Sequence, residues 1–504
     1  MNKLIRFAEP SLVFKYGQSL EDPRDGLSMF GPLDQGKPHG IRAGFIGTKS
    51  GLDKFKRWIG KIQSVISNSP PRRKRPPFPG FSAAFGIPWE PRPLVEIIVD
   101  ERALHDTVRL DDKHLRVYRT VDLYSSRIVE ALRGEVDKPD IWFVIVPDDV
   151  YRYCRPKSYV ETEERISTVG GMDARDARRA ITSPFLFSAY NENAKPYQFD
   201  LDFHNQLKAR LLESQSLTQI IRESTIAHMD FLKPNGTPIR DLDILQSEIA
   251  WNISSAVFYK AGGRPWKLGG VRDGVCYIGL VFKRVEKDAD PCSACCAAQM
   301  FLDSGDGVVF KGDIGPWYTP RRGDFHLKED AAKSLVKIAV EAYKSKNDGK
   351  PPCELFIHGK TWFNDEEWKG FSSAVDQNTT LVGVRIVSGD DLRLFSRQEQ
   401  PILRGLAYIK TNRSAYLWTK GFVPRLQTYP GMEVPRPLEI DVCRGHVEIE
   451  TVLRDILGLT KLNYNSCRFA DGIPVTLRFA DAIGEILTCG PIKGVPPLRF
   501  SHYI

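Results

Sequence analysis

No stretch of this chain approaches eighteen consecutive apolar residues, so none reads as a membrane span. The opening residues, MNKLIRFAEPSLVF, lack the long apolar core and small-residue cleavage site of a secretory leader, and a cytoplasmic protein is expected. The nine cysteines, an odd number without such a leader, point to free thiols in a reducing compartment. Cys292, Cys295 and Cys296 make one CxxC with no second pair at similar spacing, too few ligands for a structural zinc. SACCAAQMFL reads instead as a strand of small apolar residues. A GxGxxG turn after a strand is also missing. Gly262-Gly263 follow a helical pattern, which argues against a small-molecule enzyme on a doubly wound domain. Neither charge sign dominates: 71 Lys and Arg against 63 Asp and Glu leave a net +8, which permits a nucleic-acid partner without demanding one.

What is present is a chain of 504 residues, 42% hydrophobic and 27% charged, enough for two or three domains with a sizeable core. Its pattern changes near 110 and near 265. Residues 1–110 are rich in Pro and Gly: 21–34 reads as a loop, 41–48 as a strand, 51–66 as an amphipathic helix and 70–81 as a basic, proline-rich loop. Residues 111–265 alternate helix and strand. IWFVIVP (141–147) is the apolar run expected of a strand buried on both faces, and Asp148 is placed to cap the helix after it. This is the pattern of a small doubly wound α/β domain, which takes ligands at the carboxyl ends of its strands. Residues 266–504 begin with hairpins, one turning at Ser304-Gly305-Asp306-Gly307, and continue as β-α-β through 354–359, a helix from Asp365 and a strand at 380–387. Short strands, a helix at 445–459 and a strand end running into a helix at 475–487 complete an order compatible with an RNase H-like domain.

The most informative stretch is 203–266. FHNQLKARLLE has apolar residues at helical spacing, which sets His204 and Lys208 one turn apart on a polar face. Gln219 lies in a short β-branched run, and Lys260 ends a second apolar helix just before Gly262-Gly263. Singly these have bland readings, a solvated helix face or an edge strand. If the elements end together, two ammoniums, an imidazole and an amide converge, a set suited to a terminal phosphate. In this order, HxxxK, TQIIRE and N-x7-K-x-GG-x-PW resemble the guide 5′-phosphate pocket in the MID domain of Argonaute proteins. The resemblance implies that His204, Lys208, Gln219 and Lys260 surround the guide's first phosphate, with Asn252 and Ile504 supporting the pocket. It also implies a Mg²⁺ on the phosphates, held by Gln219 and the Ile504 carboxylate. A further lysine that many relatives carry is Ala256 here.

On that resemblance the fold is α/β: a Rossmann-like MID domain at 111–265, an RNase H-like PIWI domain at 266–504, and an N-terminal mixed segment at 1–110 packing on PIWI and on a partner. A slicing PIWI domain holds two metal ions with a carboxylate cluster. Here Val281 stands where the family has its first acid, Lys360 of Ile357-His358-Gly359-Lys360 where it has another, and Asp481 of Phe479-Ala480-Asp481 keeps a third position, read as a helix N-terminal cap or charge. The expectation is a guide-binding chain that does not cut and is not itself an enzyme. An active guided nuclease with substituted ligands stays open, because Glu286, Asp303, Asp306, Asp313 and Asp481 lie near the right strands. With EDPRDGL and FGPLD near the start and no length for a PAZ domain, the resemblance is to short prokaryotic Argonautes. It implies a guide RNA and a single-stranded DNA target from invading plasmids or phage. It also implies a heterodimer with an APAZ-containing effector (a TIR or Sir2 NAD-degrading domain, or a nuclease). Target binding would activate that effector in abortive-infection immunity, with a higher oligomer possible.

Overall fold

The computed structural model describes residues 2–68, 74–134, 137–168, 172–183, 188–270, 272–284, 294–302, 307–315, 317–319, 323–429, 431, 433–492 and 498–503. Two sheets organise them. Four parallel strands lie in the order Val95–Ile98, Ala43–Gly47, Ile141–Val146, Thr218–Arg222. Helical crossovers make this possible, since parallel neighbours cannot be joined by a tight turn. The Ile141–Val146 strand is buried on both faces: Ile141, Phe143 and Ile145 enter one core, and Trp142, Val144 and Val146 the other. This is the doubly wound α/β unit that the apolar run implied.

The second sheet has ten strands, in the order Lys3–Arg6, Leu406–Ile409, Ser414–Leu417, Leu438–Arg444, Thr380–Ser388, Glu354–Gly359, Val275–Arg284, Ala294–Leu302, Gly307–Gly315, Leu498–Arg499. Glu354–Gly359 is parallel to both its neighbours, and the remaining pairs are antiparallel. Helices Glu329–Lys346 and Asp365–Ser372 cover one face, and Ile449–Leu459 and Val475–Leu487 the other. The last helix lies against the sheet: a Cβ on Gly279 would come 1.9 Å from the Thr476 carbonyl oxygen, so only glycine fits there.

Several expectations are corrected. Residues before 111 do not form a segment of their own. Ala43–Gly47 and Val95–Ile98 belong to the first sheet, and Lys3–Arg6 pairs with Leu406–Ile409 at the edge of the second. The fully buried AGFIG needs a neighbour on each side, and Val95–Ile98 and Ile141–Val146 supply them. Within 21–34 a helix forms, Pro23–Phe30, because Asp22 caps it by accepting from the Arg24 backbone N–H and Pro23 opens it. Asp148 is not a cap. Pro147 holds that place, and the Asp148 carboxylate accepts from Arg222 and from the Ser224 hydroxyl at 2.7 Å. Val475–Leu487 is helical throughout: alternation at Val475, Leu477 and Phe479 mimics a strand, but Phe479, Ile483 and Ile486 continue at helical spacing. Asp481 is therefore inside a helix, not at its cap. Cys292, Glu286, the turn at 303–306, residues 69–73 of the basic loop and Ile504 lie outside the described residues.

Candidate nucleic-acid interface

Two helices bring a lysine each to one strand end. Helix Phe203–Leu211 is capped by Asp202, whose carboxylate accepts from the Asn205 N–H at 3.1 Å. Phe203, Leu207 and Leu211 anchor it in the core. Lys208, one turn after His204, reaches Thr218, its Nζ lying 3.5 Å from both the carbonyl oxygen and Oγ1. Helix Gln246–Lys260 arrives from another direction, and Lys260 Nζ donates to the same Thr218 carbonyl at 3.0 Å and to Gln219 Oε1 at 2.7 Å. Each lysine is 3% exposed. Burial pushes the Lys208 ammonium down to about 7. Burial and the charge of Lys208 hold Lys260 well below its ordinary value. Two mutually repelling ammoniums away from water attract an anion.

Above them opens a cleft of about 550 Å³. His204 and Gln219 line it, and the buried Lys260 holds Gln219 without itself lining the cleft. The packing around His204 and the charges of Lys208 and Lys260 lower its imidazole, which is neutral near pH 7. The first turn of Phe203–Leu211 faces the same space, so the helix dipole adds to the anion preference. The cleft lies beside the carboxyl ends of Ile141–Val146 and Thr218–Arg222, lined by Val146, Tyr151, Arg155, Arg222 and Arg240. Tyr151 stands between two guanidinium groups, Arg155 at 4.4 Å and Arg222 at 4.3 Å from its ring centre. Sequence reasoning missed four of these wall residues, Tyr151, Arg155, Arg222 and Arg240. Arg222 stood in the TQIIRE motif itself, but nothing in the spacing marks Tyr151, Arg155 or Arg240.

The other expected pocket residues divide. Asn252 is turned away, its side-chain oxygen accepting from the Cys467 backbone N–H at 2.9 Å, which ties its helix to the second half of the chain. Ile504 lies outside the described residues, but the tail before it is docked. Phe500 and Tyr503 are buried, and Phe500 packs on Phe479 at 4.3 Å between ring centres. His502 is pushed down to about 4 by burial and by the charges of Lys208 and Arg499, which sets the tail beside the pocket. The described residues do not fit a Mg²⁺ on their own. Gln219 offers one neutral oxygen, already bonded to Lys260, with two ammoniums beside it.

No family model matches the chain. The Argonaute protein of Aquifex aeolicus (strain VF5) is 21% identical over 250 residues, 49% of this chain and 32% of that protein. Clostridium butyricum Argonaute bound to a guide DNA and a 19-mer target DNA superposes with a TM-score of 0.62 at 14% identity, covering 98% of this chain and 54% of that one. Drosophila Piwi superposes at 0.58 with 12% identity, covering 99% and 56%. Aquifex Argonaute with externally bound siRNA gives 0.54 at 14% identity, covering 100% and 56%. The chain shares the fold of these Argonaute proteins and is similar in sequence to one of them over about half its length. It spans little more than half the length of these solved relatives.

The three positions read as a degenerate metal site come from neighbouring elements. Val281 is 4% exposed in the Val275–Arg284 strand. Lys360 follows Glu354–Gly359 and forms an ion pair with Asp481. His358 is buried below, its Nδ1 3.0 Å from the Thr476 hydroxyl, and burial pushes its imidazole down to about 3. Among the described residues no group of three or more His, Cys, Asp and Glu is arranged to hold a metal ion. Glu286, Asp303 and Asp306, and the side chain of Asp313, lie outside them. No helix among the described residues is long and apolar enough to cross a membrane.

Proposed function

We propose that this chain is the guide-holding subunit of a prokaryotic Argonaute system, and that it receives the 5′ phosphate of a guide in the cleft above Lys208 and Lys260. The observation that carries this is the convergence of two buried ammoniums on the Thr218 carbonyl, beside Gln219 and under a helix N-terminus. A terminal phosphate, with charge of about −1.5 to −2, relieves the repulsion between the lysines and takes neutral donors from Gln219 and His204. The Arg155–Tyr151–Arg222 cluster brings two guanidinium groups to the cleft wall, where they meet the backbone of the first nucleotides. Base pairing then reads the target, and the protein holds backbone and one end.

The guide is RNA and the target single-stranded DNA of an invading plasmid or phage, in the cytoplasm. The chain holds this duplex without cutting it. The Lys360–Asp481 pair supports that reading, since it sets an ammonium where a divalent cation needs a carboxylate. Activity resides in a partner subunit, an APAZ-containing TIR, Sir2 or nuclease effector joined as a heterodimer, and target binding activates it.

The test is to express the chain with its neighbouring gene and extract the nucleic acid that copurifies. Short 5′-phosphorylated RNAs, lost in the Lys208→Ala/Lys260→Ala double variant, are expected. An absence of oligonucleotide, or one that the double variant retains, would falsify the proposal.

A further inference from the structure

Helix Ala174–Thr182 carries positive charge that nothing among the described residues answers. Arg175, Arg178 and Arg179 are exposed and lie three and four residues apart, so they share one face. Ala177 and Ala180, both buried, and the partly buried Ile181 fall on the opposite side, packed with Ala194 and Tyr197. Among the described residues none of the three arginine side chains has an ion-pair or hydrogen-bond partner. Of the two acids here, Asp173 caps the helix, accepting from the Arg175 backbone N–H at 3.2 Å, and Asp176 lies to one side of the arginine face. Like charges at this spacing repel one another and weaken a helix unless an anion meets them.

This helix stands at the same end of the first sheet as the cleft. Tyr197 joins its small core to the start of helix Lys113–Gly134, stacking on His114 at 4.7 Å and donating to the Asp112 carboxylate. A helix that crosses between parallel strands runs antiparallel to them, so its N-terminus lies at their carboxyl ends, where the cleft opens. Arg116, in the first turn, fixes this by donating to the Tyr153 carbonyl at 3.0 Å, between the cleft residues Tyr151 and Arg155. On the other side, residues 199–202 lead directly into the pocket helix Phe203–Leu211, and the Asp200 N–H donates to the Cys489 carbonyl at 2.7 Å.

We infer that the face formed by Arg175, Arg178 and Arg179 docks the strand paired with the guide where that strand continues, unpaired, past the guide's 5′ end. This rests on the reading of the cleft as a guide site. A guide that starts in the cleft brings one terminal phosphate to this end of the sheet, and Lys208 and Lys260 meet it. Its antiparallel complement has no reason to stop there. When longer than the guide, the complement runs on as a single-stranded 3′ extension with one phosphodiester per nucleotide. Three guanidinium groups on one face suit such a backbone, since each offers forked N–H donors to phosphate oxygens and none has to leave a carboxylate first. Contacts to phosphate carry no sequence information, so the dock adds affinity for any flanking sequence and leaves selection to base pairing. A lipid surface does not fit, because a helix lying in that interface must offer it an apolar face, and here the apolar face is buried.

The full chain is loaded with a 5′-phosphorylated guide and titrated, at several salt concentrations, with two complements, one ending flush with the guide's 5′ end and one carrying a single-stranded 3′ extension. The proteins are the wild type, the triple variant Arg175→Gln/Arg178→Gln/Arg179→Gln, and the triple variant Arg175→Lys/Arg178→Lys/Arg179→Lys. The wild type is expected to bind the extended complement about three- to tenfold more tightly than the flush one, with a log–log salt slope steeper by up to about 2. The glutamine variant is expected to lose both differences and the lysine variant to keep most of each, while the flush complement binds all three proteins alike. No gain from the extension in the wild type, a gain that the glutamine variant retains, or an equal loss on both complements overturns the inference. Binding to phosphatidylserine vesicles that the glutamine variant loses, with no change on the extended complement, overturns it in favour of a membrane. The extended strand titrated without guide tests the arginines apart from the cleft, and the glutamine variant is expected to bind it more weakly than the wild type. A wild type with no preference for a 5′-phosphorylated over a 5′-hydroxyl guide overturns the cleft reading itself, and it shows in the loading step.

Discussion

Lys208→Met tests the claim that the pocket buries positive charge at a cost to stability. Lys208 is 3% exposed and titrates at about 7 instead of 10.5. Between these values the unfolded chain binds one more proton than the folded chain, so stability rises with pH by about 1.4 kcal/mol per unit. Below about 7 both states are protonated and the whole penalty stands, about 5 kcal/mol as a ceiling on that slope. Methionine keeps an unbranched chain of similar length and removes the charge. Without ligand, the variant is expected to be the more stable protein by a few kcal/mol near pH 6.5, with the gap narrowing above pH 7 and closing as pH approaches 10.5. Urea unfolding followed by tryptophan fluorescence at several pH values measures it. The difference between variant and wild type isolates Lys208 from the other titrating groups. A variant less stable than wild type near pH 6.5, or a gap that does not change with pH, would refute the reasoning.

The same protonation governs binding. A bound phosphate raises the Lys208 value, so the affinity for a 5′-phosphorylated oligonucleotide is expected to fall roughly tenfold from about pH 7 to pH 9, while a 5′-hydroxyl oligonucleotide shows a shallower fall in fluorescence anisotropy. Asn252→Ala removes the bond to the Cys467 N–H and should cost about 1 to 2 kcal/mol of stability in urea, leaving the preference for phosphate over hydroxyl unchanged. A lost preference would return Asn252 to the pocket. Glu9 accepts from Arg404 and Lys461, which are 3% and 0% exposed. Burial alone would raise its carboxyl, and the two cations overcome that and hold it below the ordinary 4.5. Its contribution is thus present above pH 4.5 and lost as pH falls through the lower folded value. Glu9→Gln should destabilise by about 3 kcal/mol at pH 7 in the same urea assay, by leaving two buried cations short of a counterion.

The meeting of His204, Lys208, Gln219 and Lys260 was legible because the chemistry expected of them needs side chains at fixed spacing. One helical turn from His204 to Lys208, a strand residue at Gln219 and a helix end at Lys260 are local facts, and the fold had only to bring three ends together. The cleft walls were not legible. Tyr151 and Arg155 come from a short helix and the turn after it, and Arg240 from a loop, so their meeting with Arg222 is decided by tertiary packing. Asn252 failed for a related reason. Its spacing from Lys260 suited the pocket, but on a helix buried on most sides the face of a polar residue is set by which neighbour has an unsatisfied N–H, here Cys467. The boundary at 110 was hidden because a parallel sheet recruits strands far apart in sequence, and composition changes with loops rather than with sheet membership.

Helix Gln246–Lys260 shows why a phosphate held at its end, as proposed, would bear on the rest of the chain. It ends in Lys260 at the pocket, and along its length Asn252 accepts from Cys467, the Ser255 hydroxyl donates to the Tyr464 carbonyl at 3.3 Å, and Tyr259 packs on Tyr464 at 4.6 Å. Tyr464 in turn donates from its hydroxyl to the Trp266 carbonyl at 2.9 Å, and Trp266 Nε1 donates to the Lys461 carbonyl at 3.1 Å. Lys461 pairs with Glu9, whose other partner is Arg404. A ligand that neutralises Lys260 therefore acts on a helix already fixed to the second half. Its binding free energy stabilises that joint arrangement by mass action and not the cleft alone. Two lysines without a phosphate pull the other way, since their repulsion is relieved by any shift that moves Lys260 from Lys208. The arrangement of the two halves is thus linked to occupancy of the pocket through one helix, with no contact between the phosphate and the second sheet required.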